Sequence, residues 1–287
     1  MKRDETLTYI TSAGAKVVFA ADPALTPFWW EQADGMTGLD NDIVTVSGGG
    51  QDGESFISAR LAARTITVEG KIIRNQDANR RKLLSLMDPW SLGRLVYSQG
   101  SLTRYIPACV KKLPEVGRGI FPEFQIEFLC PNPFWREGSG AKQVADIAVW
   151  IGSLEFPVEL MEEGLEMCYR TPSLIANIKN TGDAATGMTI VFRATGTTSN
   201  PELINVRTQQ RISVHVDMTA GDVLTVSTGY GEKRAVLNRS GGETNMFNRV
   251  SGTWLSLARG DNLLRYDSTD PDALEVSIYY DIPYLGV

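Results

Sequence analysis

The sequence predicts a mainly β protein of two domains, with one α-helix in the first. Three observations carry that expectation. Apolar and polar side chains alternate with a period of two over many short runs. Glycine-rich turn signals, such as Ser47-Gly48-Gly49-Gly50 and Ser240-Gly241-Gly242, separate the runs at close spacing, as in a sandwich or barrel. A single segment has the three-and-four spacing of an amphipathic helix.

In chain order, residues 65–72 alternate cleanly and put Ile66, Val68 and Ile72 on one face. The helix follows. Asn75 is placed to cap it, and Asp77 lies in the first turn, where the helix dipole favours an acid. Leu83, Leu84 and Met87 share a face, and Arg81 and Lys82 fall off it. Arg80 falls on that face one turn earlier, so its head has to snorkel or that turn has to project. Asp88-Pro89 ends the helix, because the residue before a proline is pushed out of the helical region. Strand, helix and further strands make the first domain α+β or decorated β. Residues 124–129 alternate again. The two prolines of Cys130-Pro131-Asn132-Pro133-Phe134-Trp135 end that strand, and Arg136-Glu137-Gly138-Ser139-Gly140-Ala141 has linker composition. This sets the domains at 1–140 and 141–287. In the second domain, residues 156–160 read as strand and Glu162-Glu163-Gly164 as a turn. Strands are also expected at 189–194, 234–237 and 274–280. Residues 211–218 alternate along their whole length, and Gly221-Asp222 turns the chain into a strand over 223–228.

Composition removes several function classes. The 287 residues carry a net charge of −6, which argues against a dedicated nucleic-acid binder. Residues 1–140 are neutral, with 16 basic and 16 acidic side chains, so residues 141–287 carry the whole excess. Within the first half, residues 60–112 hold 11 bases against 3 acids. That stretch reads either as a basic face for an acidic partner or as solvated strand faces; the interleaving with apolar positions favours the second. One histidine excludes multi-histidine metal sites. Cysteines 109, 130 and 168 have no CxxC spacing, which argues for folding in a reducing cytoplasm without a disulfide frame. Asp4 and Glu5 stand where a secretory signal would begin its apolar run, so no signal peptide is expected. No apolar run approaches the roughly 18 residues that span a bilayer.

No constellation of catalytic chemistry emerges. Ser213, His215 and Asp217 alternate on one strand, so they lie side by side with no nucleophile turn, and read as a solvent-facing polar strip. Asp40-Asn41-Asp42 and the acid-rich run 267–272 lack the glutamate of a calcium loop and read as turns. Residues 229–233 are too short to cradle a phosphate, and Glu162 and Glu163 diverge as neighbours. Pro27-Phe28-Trp29-Trp30 reads as a core or a subunit interface before it reads as a sugar platform. Trp254, near Asn248, Arg249 and Ser256, is the one sugar-site candidate of the second half. The expectation is no catalytic, cofactor or metal residues, and a binding or structural protein rather than an enzyme such as a carboxylate glycosidase.

The order of motifs resembles a known family. In the first half these are 62–72, Arg80-Arg81-Lys82-Leu83-Leu84, Gly93-Arg94-Leu95-Val96-Tyr97 and Tyr105-Ile106-Pro107-Ala108-Cys109-Val110. The closing run from Phe124 through Leu129 to Cys130-Pro131-Asn132-Pro133-Phe134-Trp135 is the most specific. In the second half, Phe156-Pro157, Asn180-Thr181-Gly182-Asp183-Ala184, Asn200-Pro201, Ala220-Gly221-Asp222, Trp254-Leu255-Ser256-Leu257 and Gly260-Asp261-Asn262 match more loosely. Together they resemble the distal tail protein family of long, non-contractile-tailed bacteriophages, over roughly the whole chain. Trp29-Trp30 and Asp270-Pro271-Asp272 have no place in that pattern.

The resemblance implies an N-terminal split β-barrel with one α-helix and a C-terminal galectin-like β-sandwich. It implies a ring, usually a homo-hexamer, at the virion tail tip. Such a ring joins the tail tube protein to the tail-tip protein, carries receptor-binding or baseplate proteins and leaves a central channel for DNA. It would be assembled in the host cytoplasm, with no cofactor, no membrane and no sequence-specific nucleic acid as partner. Gly70, Tyr105, Cys130, Pro131, Pro133, Phe134, Trp135, Gly182 and Asp183 are the motif residues, read as serving fold or interface. The alternative reading is a carbohydrate-binding adhesin of a phage or phage-like particle. A closed ring needs two different adhesive faces on each copy, and the basic stretch meeting the acidic second half across a subunit boundary is one way to supply them.

Overall fold

The computed structural model describes residues 4–50, 52–148, 150–152, 168–170 and 175–287. The strand expected at 156–160 and the turn at 162–164 lie outside these. The described chain forms two compact units: Met1–Ala141 with Pro283–Val287, and Lys142–Ile282.

The first unit is built from β1 (Glu5–Ile10), β2 (Lys16–Ala20), β3 (Phe28–Asp34), β4 (Asn41–Val46), β5 (Ser55–Leu61), β6 (Arg64–Ile72), α1 (Gln76–Leu86), β7 (Gly93–Gln99), β8 (Leu102–Val116), β9 (Glu123–Cys130) and β10 (Trp135–Glu137). Seven strands run in the order β8-β7-β1-β2-β3-β6-β9, and pairing of β9 with β8 closes them into a barrel. All neighbours are antiparallel except β2 and β3. Closure leaves the barrel no free edge. The alternation expected at 65–72 is realised in β6, where Arg64, Ile66, Val68, Gly70 and Ile72 face inward. Phe19, Phe28 and Phe124 fill one part of the core, with centroids 5.5–6.2 Å apart, and Tyr9 leans on Phe128 at 4.9 Å. In the 27–30 cluster, Phe28 joins this core, the Trp29 indole donates to Ala21 O at 3.2 Å and Trp30 meets Tyr97 edge-on.

Helix α1 sits on the barrel through Leu83 and Met87, both buried. Two details of its sequence reading change. Leu84 is exposed, because the buried stripe runs through Leu83, Leu86 and Met87. Asn75 stands at the N-cap with φ 43°, and its side chain makes no capping bond; its carbonyl accepts from Asn79 N instead. Residues 136 and 137 are not linker but belong to β10, which pairs Arg136 with Tyr105 and Pro283. The bases of 60–112 do not form one face: Arg64 is buried, Lys71 pairs with Glu31 at 2.9 Å and Arg104 lies over the Tyr284 ring at 3.7 Å.

The second unit packs two antiparallel sheets on one shared core. The first sheet runs Gln143–Ala148, Leu274–Tyr280, Met188–Ala194, Val223–Ser227, Arg234–Arg239, Gly242–Asn245; the second runs Ile175–Asn180, Gly260–Asp267, Glu202–Asn205, Arg211–Val214, Val250–Gly252. Inward residues such as Ile190, Phe192, Leu224 and Val276 from one sheet meet Ile178, Leu203, Leu264 and Tyr266 from the other. The continuous strand expected over 211–218 is in fact two, Arg211–Val214 and Asp217–Met218, in different sheets. Buried amides hold the turns. Asn180 Oδ1 accepts from Gly182 N at 3.0 Å and its Nδ2 donates to Ala184 O at 2.8 Å, while Asn262 bonds Ala258 through both ends of its amide. Asp222 is 4% exposed and takes Arg239 Nε and Nη2 at 2.6–3.1 Å, together with Thr219 N at 2.8 Å. The Arg239 hydrogen bonds, then the Thr219 bonds, hold its carboxyl below the usual carboxylate pKa against the desolvation that opposes them.

Two predictions follow from this packing. A methyl group at Gly70 would sit 2.0 Å from Trp29 O, so Gly70→Ala is expected to cost about 3 kcal/mol or more in denaturant unfolding. Because the pKa of Asp222 is depressed in the fold, its stabilisation is fully present above about pH 4, near the unfolded carboxylate value, and is lost as pH falls through the lower folded value. Asp222→Asn should therefore lower the unfolding midpoint at pH 7, and the gap to the parent protein should close in strong acid.

Candidate functional site

The motif residues at 130–135 gather around one buried cation. Arg64 begins β6 and is 2% exposed. Its Nε donates to Pro133 O at 2.9 Å, Nη1 to Gly35 O and to Gly38 O, and Nη2 to Leu285 O. These acceptors are backbone carbonyls from three separate stretches of chain. Burial lowers the guanidinium pKa from its usual value, with Cys130 opposing that shift. Cys130 itself is buried beside it, and burial pushes its thiol up to about 12, so it is an inert packing group. Pro131 is exposed at the bend and Phe134 half-buried, with its amide donating to Asn132 Oδ1 at 3.2 Å. Trp135 is fully buried and its indole donates to Met36 O at 3.1 Å. Arg104 donates to Gly286 O and stacks on Tyr284, so two arginines fasten residues 283–287 to the barrel.

The other motif residues lie elsewhere. Gly70 sits mid-β6 against Trp29 O, and Tyr105 is buried in β8 with Arg136 over its ring. Gly182 and Asp183 form the turn that Asn180 holds in the second unit, with Gly182 buried and Asp183 exposed.

What the barrel leaves outside is the candidate site. Strands β4 and β5 pair only with each other among the described residues and project between β3 and β6. Ile43, Val44, Val46, Phe56 and Ile57 are exposed on this hairpin, Phe56 at 67%. An isolated two-stranded hairpin is at best marginally stable, and one bearing this much apolar surface calls for a partner. The hairpin leaves from the barrel end where Arg64 pairs with Cys130. At the other end, where Lys71 pairs with Glu123, lie the β8–β9 turn and α1, tied by Gln76 Nε2 to Ile120 O at 3.0 Å. That end exposes Ile120 at 82%, Phe121 and Leu113. Just past α1, Trp90 is 92% exposed yet held in an ordered turn: Asp88 accepts from Trp90 N at 3.0 Å and from Ser91 Oγ at 2.6 Å. Those bonds, Ser91 first, lower the Asp88 pKa. Asn41 and Asp42, read as part of an acidic loop, open β4, where Asp42 pairs with Arg60 at 3.1 Å.

The chemistry candidates resolve into local structure. His215 is exposed, with Nε2 3.1 Å from Ser251 Oγ and Nδ1 3.4 Å from Asn200 Oδ1. Ser213 is buried in the sheet and Asp217 accepts from Ser199 at 2.6 Å, so the three do not converge. Asp270 caps a short 3₁₀ turn by accepting from Asp272 N. Trp254 has Phe247 stacked on its ring at 5.5 Å and Lys233 Nζ at 5.6 Å, which occupies the surface a sugar would need. A cleft of about 650 Å³ is rimmed by Glu31, Glu69, Glu115 and Glu123. Lys71 bridges Glu31 and Glu123, Lys112 pairs with Glu115 and Gln125 donates to Glu69. Among the described residues, no group of three His, Cys, Asp or Glu side chains is placed to hold a metal ion, and no helix is long and apolar enough to cross a membrane.

Comparison with known proteins matches both units. Residues 25–130 fit the model of the phage tail protein RIFT-related domain, and residues 181–284 fit that of the siphovirus-type tail component, C-terminal domain. The crystal structure of the SPP1 phage Dit protein, described as a paradigm of the hub adsorption apparatus in Gram-positive-infecting phages, shares the fold. It is 13% identical, with a TM-score of 0.66 over 96% of this chain and 98% of that one. A chain of the phage P2 baseplate in its activated conformation with Ca is 10% identical, with a TM-score of 0.49 over 97% and 98%. No curated protein matches. A closed barrel with one helix, joined to a two-sheet sandwich, is thus the architecture of a phage tail component. The chain belongs to the distal tail protein family of siphophages.

Sequence reading missed Arg64, Arg104, the hairpin and Trp90. Arg64 had a signal: it shares the parity of Ile66, Val68 and Ile72, so it stands in the buried phase of its strand. Removing it strands carbonyls at Gly35, Gly38, Pro133 and Leu285. Arg64→Leu is expected to cost about 3–5 kcal/mol in denaturant unfolding. It should also speed hydrogen exchange across residues 283–287, with Arg64→Lys recovering part of both losses.

Proposed function

We propose that this chain is the distal hub of a siphophage tail, or of a phage-derived tail-like particle. Six copies close into a ring at the tail tip. The ring joins the tube protein to the tail-tip protein, carries receptor-binding or baseplate proteins and leaves a central channel through which DNA passes. The role is structural, without catalysis, and the ring is assembled in the host cytoplasm before it joins the virion.

The observation that carries this reading is a closed barrel of the tail-component family with exposed apolar elements at both of its ends. A connector must bind different neighbours on different faces, and a ring of identical subunits needs two unlike faces that meet head to tail. The β4–β5 hairpin at one end and the Ile120 and Trp90 turns at the other supply unlike faces. Family membership across both units supports the tail location.

Light scattering of the purified chain tests the ring. The expected mass is near six times 31.5 kDa, with six-fold rings around a central hole in negative stain. A monomer at every concentration that binds glycans would instead favour the adhesin reading.

A further inference from the structure

We propose that the β4–β5 hairpin of one copy docks on the α1–Trp90 surface of the next copy, and that this contact closes the ring. The inference rests on the ring reading above and names the two faces that meet.

The two surfaces match in apolar content. The hairpin offers Ile43 and Phe56 on one face, and the α1 end offers Leu84, Trp90 and Leu92, all exposed in the single chain. Register separates the hairpin's faces. Ile43 with Ala59 and Thr45 with Phe56 form cross-strand pairs on one side, and Asp42 with Arg60 and Val44 with Ser58 lie on the other. The Ile43 and Phe56 face is therefore fit to pack against an apolar partner, while the face that bears Val44 and Val46 also carries the Asp42–Arg60 ion pair toward solvent. On the receiving side, the Asp88 bonds fix the backbone at Trp90, so little backbone freedom is lost when it is covered.

The surfaces also match in charge. Residues 40–61 carry Asp40, Asp42, Asp52 and Glu54 against Arg60 alone. Helix α1 carries Arg80, Arg81 and Lys82 against Asp77, and Arg81 and Lys82 are exposed. An acid-rimmed apolar projection and a base-rimmed apolar receiver on one molecule are complementary between copies. Within one copy they leave from opposite ends of the barrel strands β6 and β9, and both stay uncovered. The contact is accordingly heterologous, the kind that closes rings.

The test uses the full chain with Phe56 replaced by the photoreactive p-benzoylphenylalanine. Irradiation followed by peptide mapping should give intermolecular cross-links to residues 80–92. Cross-links between copies that map elsewhere overturn the docking. In parallel, Phe56→Glu and Trp90→Glu should each reduce the assembly to monomers in light scattering, with the circular dichroism spectrum of the folded chain retained because both residues lie outside the core. Paired reversal supplies the check on charge. Arg81→Glu with Lys82→Glu should weaken association by about tenfold or more, and Asp40→Lys with Asp52→Lys on the mixed-in copy should restore it. A wild-type ring that survives both single substitutions defeats the docking and leaves the hub standing. A wild-type chain that is monomeric at all concentrations defeats the docking and the self-closing ring together.

Discussion

A buried guanidinium holds the first unit together. Arg64 donates to carbonyls at Gly35, Gly38, Pro133 and Leu285, the last of them 221 positions away along the chain. A buried cation is costly unless its donors are satisfied, and the backbone folds so that they are. The consequence is geometric. The loop after β3, the proline bend before Trp135 and the segment 283–287 must all arrive at one point for the barrel end to close. The prolines at 131 and 133 limit the paths that bend can take, which presents the Pro133 carbonyl to the cation. Trp135 completes the arrangement from the other side by donating to Met36 O.

Closure of the barrel decides what remains available for assembly. Once β9 pairs with β8, the seven strands have no open edge, so further contacts must come from what projects. The hairpin formed by β4 and β5 projects with its apolar residues uncovered, and Trp90 stands exposed on a turn that Asp88 rigidifies. These are features of an element that waits for a neighbour. In the second unit the two sheets share one core, and the turns are locked by Asn180, Asp222 and Asn262.

Much of this was legible in the sequence where the controlling forces are local. Alternation located β6, β9 and the strand at 274–280, and spacing located α1 through Leu83 and Met87, because a period of two or 3.6 follows from backbone geometry alone. The order of the motifs carried the family. Readings failed where a distant partner set the outcome. Residues 211–218 alternate perfectly yet divide at His215 and Val216 between two sheets. Arg136 and Glu137 look like linker, but β8 and Pro283 recruit them into a sheet. Asn41 and Asp42 look like loop residues and begin β4, a strand whose apolar side chains stay exposed and whose partner β5 carries the extra residue Ile57 opposite Val44 and Thr45.

By itself, then, the sequence determined the mainly β class, the single helix and the family, because each follows from short-range periodicity or from the order of short motifs. The tertiary structure alone decided which carbonyls Arg64 anchors, that residues 283–287 join the first unit and that the hairpin and Trp90 remain uncovered. Those outcomes depend on which distant carbonyls reach a cation and which strand closes a barrel. No local pattern encodes either, since the groups concerned meet only after the chain has folded.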